Sequence, residues 1–185
     1  RNHSSAASDV YKRQLLVQGL LCLAIIGCCV AMAMPVVHIA AYCDDLGFGL
    51  DDGALMLSVL LTCGFVSRMV FGVIGDKIGG VMTIFVGASL QCVALSLYTF
   101  IDSLTGLYIV SGLFGLVFGG IVPSYALATR QLFPAHQASA RIGIVFMAGY
   151  VGMASGGFAG GVIFDETLDY KICLLYTSPS PRDIG

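Results

Sequence analysis

The sequence has few charged residues and no tryptophan. Asp, Glu, Lys and Arg make up 11% of its 185 residues, and the formal net charge is −2. A soluble domain commonly carries about a quarter charged residues. So little charge cannot cover the surface of a soluble domain, and the near-zero net charge predicts no nucleic-acid partner.

The chain also lacks the spacings that mark metal sites, disulfide frameworks and nucleotide loops. Its seven cysteines and three histidines form no CxxC pair and no Cys/His ligand pattern. Most of the cysteines lie inside apolar runs, where cysteine behaves as a small hydrophobic residue. No Walker-type phosphate loop is present in the sequence. We therefore predict no metal, no cofactor and no use of ATP.

Apolar residues and glycine dominate instead, at 57% hydrophobic residues and 24 glycines. The apolar runs are about 20 residues or longer, as membrane-spanning helices require, whereas strands of a membrane barrel need only about ten. We predict an all-α integral membrane protein, a polytopic helical bundle. Its five transmembrane helices are expected at about residues 15–41, 53–75, 81–100, 106–129 and 142–164.

The two ends of the chain differ from the rest. Residues 4–14 and 173–183 match translations of the two strands of a transposase-inserted sequencing adapter. We therefore predict that segments 1–14 and 173–185 are adapter-derived and non-native. Residues 15–172 would then be a partial transmembrane bundle that is open at both ends.

Basic residues are unevenly distributed over the connections between the predicted helices. Lys77, Arg130 and Arg141 fall on one side of the membrane when the connections are numbered alternately. The other side is acidic, with Lys171 as its only base. Because Lys and Arg are enriched in cytoplasmic loops, we expect the basic side to be cytoplasmic.

Glycines recur at spacings of three or four residues in the fourth and fifth predicted helices. Small residues let helix backbones approach closely in a membrane. We expect these glycines to serve ordinary close packing of helices. The alternative is that helices held together so weakly can also slide against one another, as a transporter requires. The residues are Gly112, Gly115 and Gly119 in one helix, and Gly149, Gly152, Gly156 and Gly160 in the other.

A short charged motif connects the second and third predicted helices, with Gly72, Asp76, Lys77 and Gly79 in the pattern G-x-x-x-D-K-x-G. Gly72 would let a neighbouring helix approach, and Gly79 would permit a tight turn. Asp76 would accept hydrogen bonds from helix N-terminal amides or pair with a base.

This motif resembles the loop signature of the major facilitator superfamily, which occurs between helices two and three and again between helices eight and nine. The resemblance implies that Gly72, Asp76, Lys77 and Gly79 act together as a conformational gate. The family usually has Arg or Lys directly after the last Gly of this signature, where this chain has Gly80. Residues 108–112 also lack the Arg that first-half copies carry early in the fourth helix. The resemblance implies a partial major-facilitator fold that comprises helices seven to eleven of twelve. The N-terminal half of the protein and the last helix would be missing.

Two segments, 34–47 and 64–72, resemble the monocarboxylate-porter branch and its oxalate–formate antiporter relatives. The resemblance implies that Arg68 faces the central cavity and binds the substrate carboxylate. Animal members place an Asp one turn earlier as a proton carrier, where this chain has Gly64. The fifth predicted helix contains no Lys or Arg, which argues against a dicarboxylate substrate that needs two cations.

The residues themselves also single out Arg68. An Arg within a membrane span costs roughly 2.5–3.5 kcal/mol, so it usually faces a cavity, pairs or snorkels. Its planar guanidinium suits bidentate binding of a carboxylate. A structural ion pair is the alternative. We name His38, Gln91 and Tyr150 as further substrate-binding candidates, with helix packing as the alternative for each.

The predicted function is secondary active transport of small organic anions by alternating access, with a proton or counter-anion as the coupled ion. The alternative is a neutral or drug-like solute, with Arg68 structural. A membrane enzyme is disfavoured, because the spans contain one His and scattered Ser. We expect a multi-pass protein of the bacterial inner membrane. The piece should not transport by itself, since it lacks the partner half of the cavity.

Overall fold

The structure, a computed structural model, describes the backbone of residues 2–101 and 103–167 and the side chains of 11–101 and 103–166. Each of its five helices is long and apolar enough to cross a membrane. The predicted all-α bundle of five spans is therefore confirmed. Segment 173–185 lies outside the described residues. The helices are α1 (Asn2–Asp45), α2 (Leu50–Ile78), α3 (Gly80–Tyr98), α4 (Leu104–Leu132) and α5 (Ala135–Thr167).

Two connections are shorter than the sequence indicated. The loop expected at residues 76–80 is a single residue, Gly79, between the end of α2 and the start of α3. The polar loop expected at 130–141 is reduced to Phe133 and Pro134. The hydropathy pattern marked where the apolar runs end, but Gln, Arg and Ala are good helix formers, so α4 and α5 extend beyond those runs.

Glycines bring two pairs of helices into close contact. A Cβ added to Gly152 or Gly156 of α5 would lie 2.6 or 2.7 Å from the carbonyl oxygen of Ile26 or Val30 on α1. A Cβ added to Gly115 or Gly119 of α4 would come still closer to the backbone of α2, at Leu60 and Gly64. The role predicted for the glycine spacing in close helix packing is thus confirmed.

The outward faces of the helices are largely apolar. Leu23, Phe65, Phe85 and Phe158 are each about two-thirds exposed or more. Several hydroxyl groups on these faces donate to carbonyls of their own helices, for example Ser58 to Ala54 at 2.9 Å. Such faces carry few unsatisfied polar groups, as contact with lipid or with further apolar protein requires.

The two ends of the bundle differ in charge, as expected. The backbone N–H of Gly80 donates to Gln131 Oε1 at 2.8 Å, so the α2–α3 turn lies beside the end of α4. This end, which also carries Lys77, Arg130 and Arg141, is called the basic end. The opposite, acidic end carries Asp44, Asp45, Asp51 and Asp52 between α1 and α2. Its assignment to the outer side of the membrane stays a prediction.

Candidate functional site

The orientation of α2 determines where Arg68 points. The neighbouring residue Ser67 is 1% exposed, and its Oγ accepts a hydrogen bond from the backbone N–H of Gly120 on α4 at 3.1 Å. Consecutive helical residues are rotated by about 100°. Because Ser67 faces α4, Arg68 is turned to the exposed side of α2.

Arg68 lies within the membrane span without a partner among the described residues. Its guanidinium makes no ion pair or hydrogen bond in the part of the chain that the structure describes, and its neighbours Phe65 and Met69 are exposed and apolar. Ten residues separate Arg68 from Ile78 at the end of α2, which is about 15 Å of helix. That distance is near the limit for a side chain that snorkels to the membrane surface.

Tyr150 is the second candidate that faces outward. It is 71% exposed on α5, beside exposed Met147 and Val151. The contacts of α5 with α1 are made through Gly149, Gly152 and Gly156, on a different side of the helix. Tyr150 is therefore accessible, although it lies on a different helix from Arg68.

Gln91 lies in the interior of the bundle and is 2% exposed. Its Nε2 donates to the carbonyl oxygen of Cys28 on α1 at 3.1 Å, and its Oε1 accepts from the Cys28 thiol at 3.2 Å. Both ends of the carboxamide are engaged with another helix. Substrate binding by Gln91 stays a prediction and would require one of these bonds to break.

His38 joins α1 to α5 towards the acidic end of the bundle. Its Nε2 lies 3.0 Å from the carbonyl oxygen of Gly157. A Cβ at Gly160 would come within 3.0 Å of the same nitrogen, so that glycine leaves room for the imidazole. The ring also borders a small, partly open hollow between α1 and α3, lined by Met34, Pro35, Ile39, Tyr42 and Tyr98.

The four predicted substrate residues therefore do not form one cluster in the described part of the chain. Arg68 and Tyr150 lie on outward faces of two helices. Gln91 and His38 make contacts between helices. Their common role at one site stays a prediction, with Arg68 and Tyr150 the accessible members.

The gate motif has one residue whose local role is visible. Gly79 has φ +84° and ψ 156° and separates α2 from α3, a backbone conformation that is essentially restricted to glycine. Gly72 has no atom within 4 Å of an added Cβ, so the helix expected to pack there is not among the described residues. Lys77 lies in the last turn of α2, where a positive charge is favourable.

The roles expected for Asp76 stay a prediction. Asp76 is exposed and makes neither a cap nor an ion pair with any residue that the structure describes. Gln131 instead accepts from the first N–H of α3. The hydropathy pattern assigned Gln131 to a loop. Its position directly after an apolar helix was the only signal in the sequence that its side chain could reach the turn between α2 and α3.

Arg141 was also expected in a loop and lies in α5. Its guanidinium donates to Gln137 Oε1 at 2.8 Å, to Gln14 Oε1 at 3.1 Å and to Gln18 Oε1 at 3.4 Å. It also lies 4.2 Å from the centroid of the Phe133 ring, which is a cation–π distance. Arg141 therefore ties the basic ends of α1 and α5 together, although Gln14 belongs to the predicted adapter segment.

Comparison with known proteins assigns this bundle to a family. The family model of the Major Facilitator Superfamily matches residues 12–176. Monocarboxylate transporter 13 from Bos taurus is 27% identical over 139 residues, which cover 74% of this chain and 33% of that protein. The protein of the same name from Rattus norvegicus is also 27% identical over 139 residues, with 74% and 32% covered. The chain thus spans about a third of the length of these relatives, and it belongs to the major facilitator superfamily.

Proposed function

We propose that this chain is part of a secondary active transporter that moves small organic anions, in particular monocarboxylates, by alternating access. Membership of the superfamily and the names of the two relatives support a monocarboxylate-like substrate. The observation that carries the proposal is the exposed guanidinium of Arg68 within the span of α2, which pairs with no residue that the structure describes. No cofactor is needed for this function.

Arg68 has the chemistry that a carboxylate site requires. Its fork of N–H donors can bind both oxygens of a carboxylate, and such charge-assisted hydrogen bonds are stronger than neutral ones. A site that binds one negative charge through one guanidinium fits a monoanion better than a dianion. The span of α5 supplies no second Lys or Arg beyond Arg141 at its basic end.

The coupled ion in this proposal is a proton or a counter-anion. The position at which animal members have an Asp is occupied by Gly64, which packs tightly against α4. An added Cβ there would lie 2.9 Å from Phe118 Cε1. A carboxylate at this position would need the Phe118 ring to move, so a proton carrier must be another group. His38 is our candidate because an imidazole ring can both accept and donate a proton.

Uptake measurements on the longer protein that contains this segment test the proposal. Reconstituted in vesicles, it should accumulate labelled pyruvate, lactate or formate when a gradient is imposed. Arg68→Ala should abolish uptake, because the carboxylate loses its charge partner, and Arg68→Lys should restore part of it. Met69→Ala, an exposed neighbour on the same helix, is the matched control and should retain uptake.

Two results would point elsewhere. Unchanged uptake of a true substrate by Arg68→Ala would remove Arg68 from the site. Uptake of a neutral or drug-like solute, with none of the acids transported, would favour the alternative in which Arg68 is structural. The bacterial inner membrane stays our predicted location. Because the two relatives are mammalian, a genomic survey of the source material would test whether this protein is bacterial.

A further inference from the structure

The five helices form two groups that are internally well connected. In the first group, α1 and α5 are in backbone contact through Gly152 and Gly156. In the second group, α4 contacts α2 through Gly115 and Gly119, and α3 packs onto α4 where Gly80 meets Ala128. We call these groups the α1–α5 pair and the α2–α3–α4 unit.

Side-chain hydrogen bonds follow the same division. Within the α1–α5 pair, Arg141 donates to Gln18 and His38 lies at bonding distance from Gly157. Within the α2–α3–α4 unit there are four such contacts. They join Gly120 to Ser67, Gly80 to Gln131, Tyr98 to Ser111 and Tyr108 to Asp52.

Between the two groups, one side-chain contact supplies two hydrogen bonds. Gln91 of α3 donates from Nε2 to the Cys28 carbonyl oxygen at 3.1 Å, and the Cys28 thiol donates to Gln91 Oε1 at 3.2 Å. The remaining contact surface is mainly apolar, with a close backbone approach of Gly53 to Ala40 near the acidic end.

The two kinds of contact respond differently to relative motion of the groups. Apolar packing has no strong directional preference and tolerates small sliding movements. A buried carboxamide is directional, and leaving its donor or acceptor unsatisfied in an apolar interior is costly. Displacing the α1–α5 pair against the other unit by a few ångströms would break both Gln91 bonds at once.

We propose that Cys28 and Gln91 form a polar coupling that holds the α1–α5 pair at one position against the α2–α3–α4 unit. Gln91 is in this view a positioning residue, and the two groups are the parts that move relative to each other. The link to a transport cycle rests on the proposed function. The coupling itself is a property of the bundle and is testable without transport.

Distances between the helix groups provide the direct test. Spin labels introduced through a genetically encoded amino acid leave the native cysteines unmodified. Leu23 on α1 and Val93 on α3 are both exposed and report on the distance between groups. Leu23 with Met147 reports within the α1–α5 pair, and Val93 with Leu116 reports within the α2–α3–α4 unit.

Gln91→Leu should add a second, shifted population to the Leu23–Val93 distance distribution and leave both distributions within groups unchanged. Cys28→Ala removes one of the two bonds and should give a smaller shift, which Cys28→Ser reverses because its hydroxyl can donate in place of the thiol. Ser89→Ala is the matched control on α3, since Ser89 is exposed and bonds only its own helix, at Phe85.

A native Leu23–Val93 distribution in Gln91→Leu would overturn the proposal, as would an equal change in all three label pairs. If Gln91→Leu does not fold, Cys28→Ala decides in the same way. In the uptake assay on the longer protein, Gln91→Leu should change the maximal rate, whereas loss of a substrate contact, the other role predicted for Gln91, would raise half-saturation. Absent uptake by the unmodified protein would refute the proposed function, while the distance measurements would still test the coupling.

Discussion

The hydroxyl oxygen of Ser67 lies 3.1 Å from the backbone nitrogen of Gly120, and this contact between α2 and α4 determines the direction of Arg68. Because Ser67 is buried against α4, the next residue must leave the interface. A serine that looks like an ordinary small residue in the sequence thus orients the residue on which the proposed function depends.

Ser67→Ala should destabilise the bundle modestly. The substitution removes the acceptor for the Gly120 N–H, and hydrogen bonds between membrane helices are worth about 0.6 kcal/mol on average and up to about 1.7. The free energy of unfolding, measured by SDS titration in mixed micelles, should decrease by an amount within that range. Ser58→Ala is the control, because Ser58 is exposed and bonds the Ala54 carbonyl of its own helix. Equal losses for the two variants would mean that the contact with Gly120 contributes nothing.

Gly152→Ala should separate α1 from α5. The new methyl group would lie 2.6 Å from the Ile26 carbonyl oxygen, which is backbone and cannot move aside alone. Overpacking of this kind typically costs about 1–3 kcal/mol. Thermal unfolding in detergent measures the loss. Gly143→Ala, on the same helix with no atom within 4 Å of an added Cβ, should be neutral or slightly stabilising. A stable Gly152→Ala variant would contradict the close contact between these helices.

Gly79→Ala and Gly72→Ala should have opposite effects on this chain, although both belong to the same motif. Gly79 has φ +84° and ψ 156°, so a side chain there adds strain of about 1–3 kcal/mol. Gly72 is helical with open space around it, so Ala should raise helix stability by about 0.5–1 kcal/mol. Unfolding titrations of the two variants check this ordering.

The longer protein adds a second test to the same pair of variants. A stability loss from Gly72→Ala there, but not in this chain, would show that a helix outside the described residues packs on Gly72. If Gly72→Ala lowers the stability of neither this chain nor the longer protein, Gly72 lacks the packing role that the motif implies.

Hydropathy was enough to predict five membrane helices, since apolar runs of this length have few alternatives in water or lipid. The glycine spacing likewise predicted close packing, because it is a local property of each helix. The motif around Asp76 indicated the family and the position of the turn. It did not indicate how the turn is held, because Gln131 is 51 residues away from Gly80 along the chain.

The sequence by itself determined that this chain is a helical membrane bundle. It also singled out Arg68, because an Arg within a membrane span is costly unless it faces a cavity, pairs or snorkels. Only the tertiary structure decided where the polar side chains point. Gln91 and His38, candidates for a substrate site, contact other helices, while Arg68 and Tyr150 face outward. The physical reason is that hydropathy depends on composition along the chain, whereas the direction of a side chain depends on how each helix is rotated against its neighbours. In this bundle, glycine contacts and a few hydrogen bonds, such as that between Ser67 and Gly120, set the rotation.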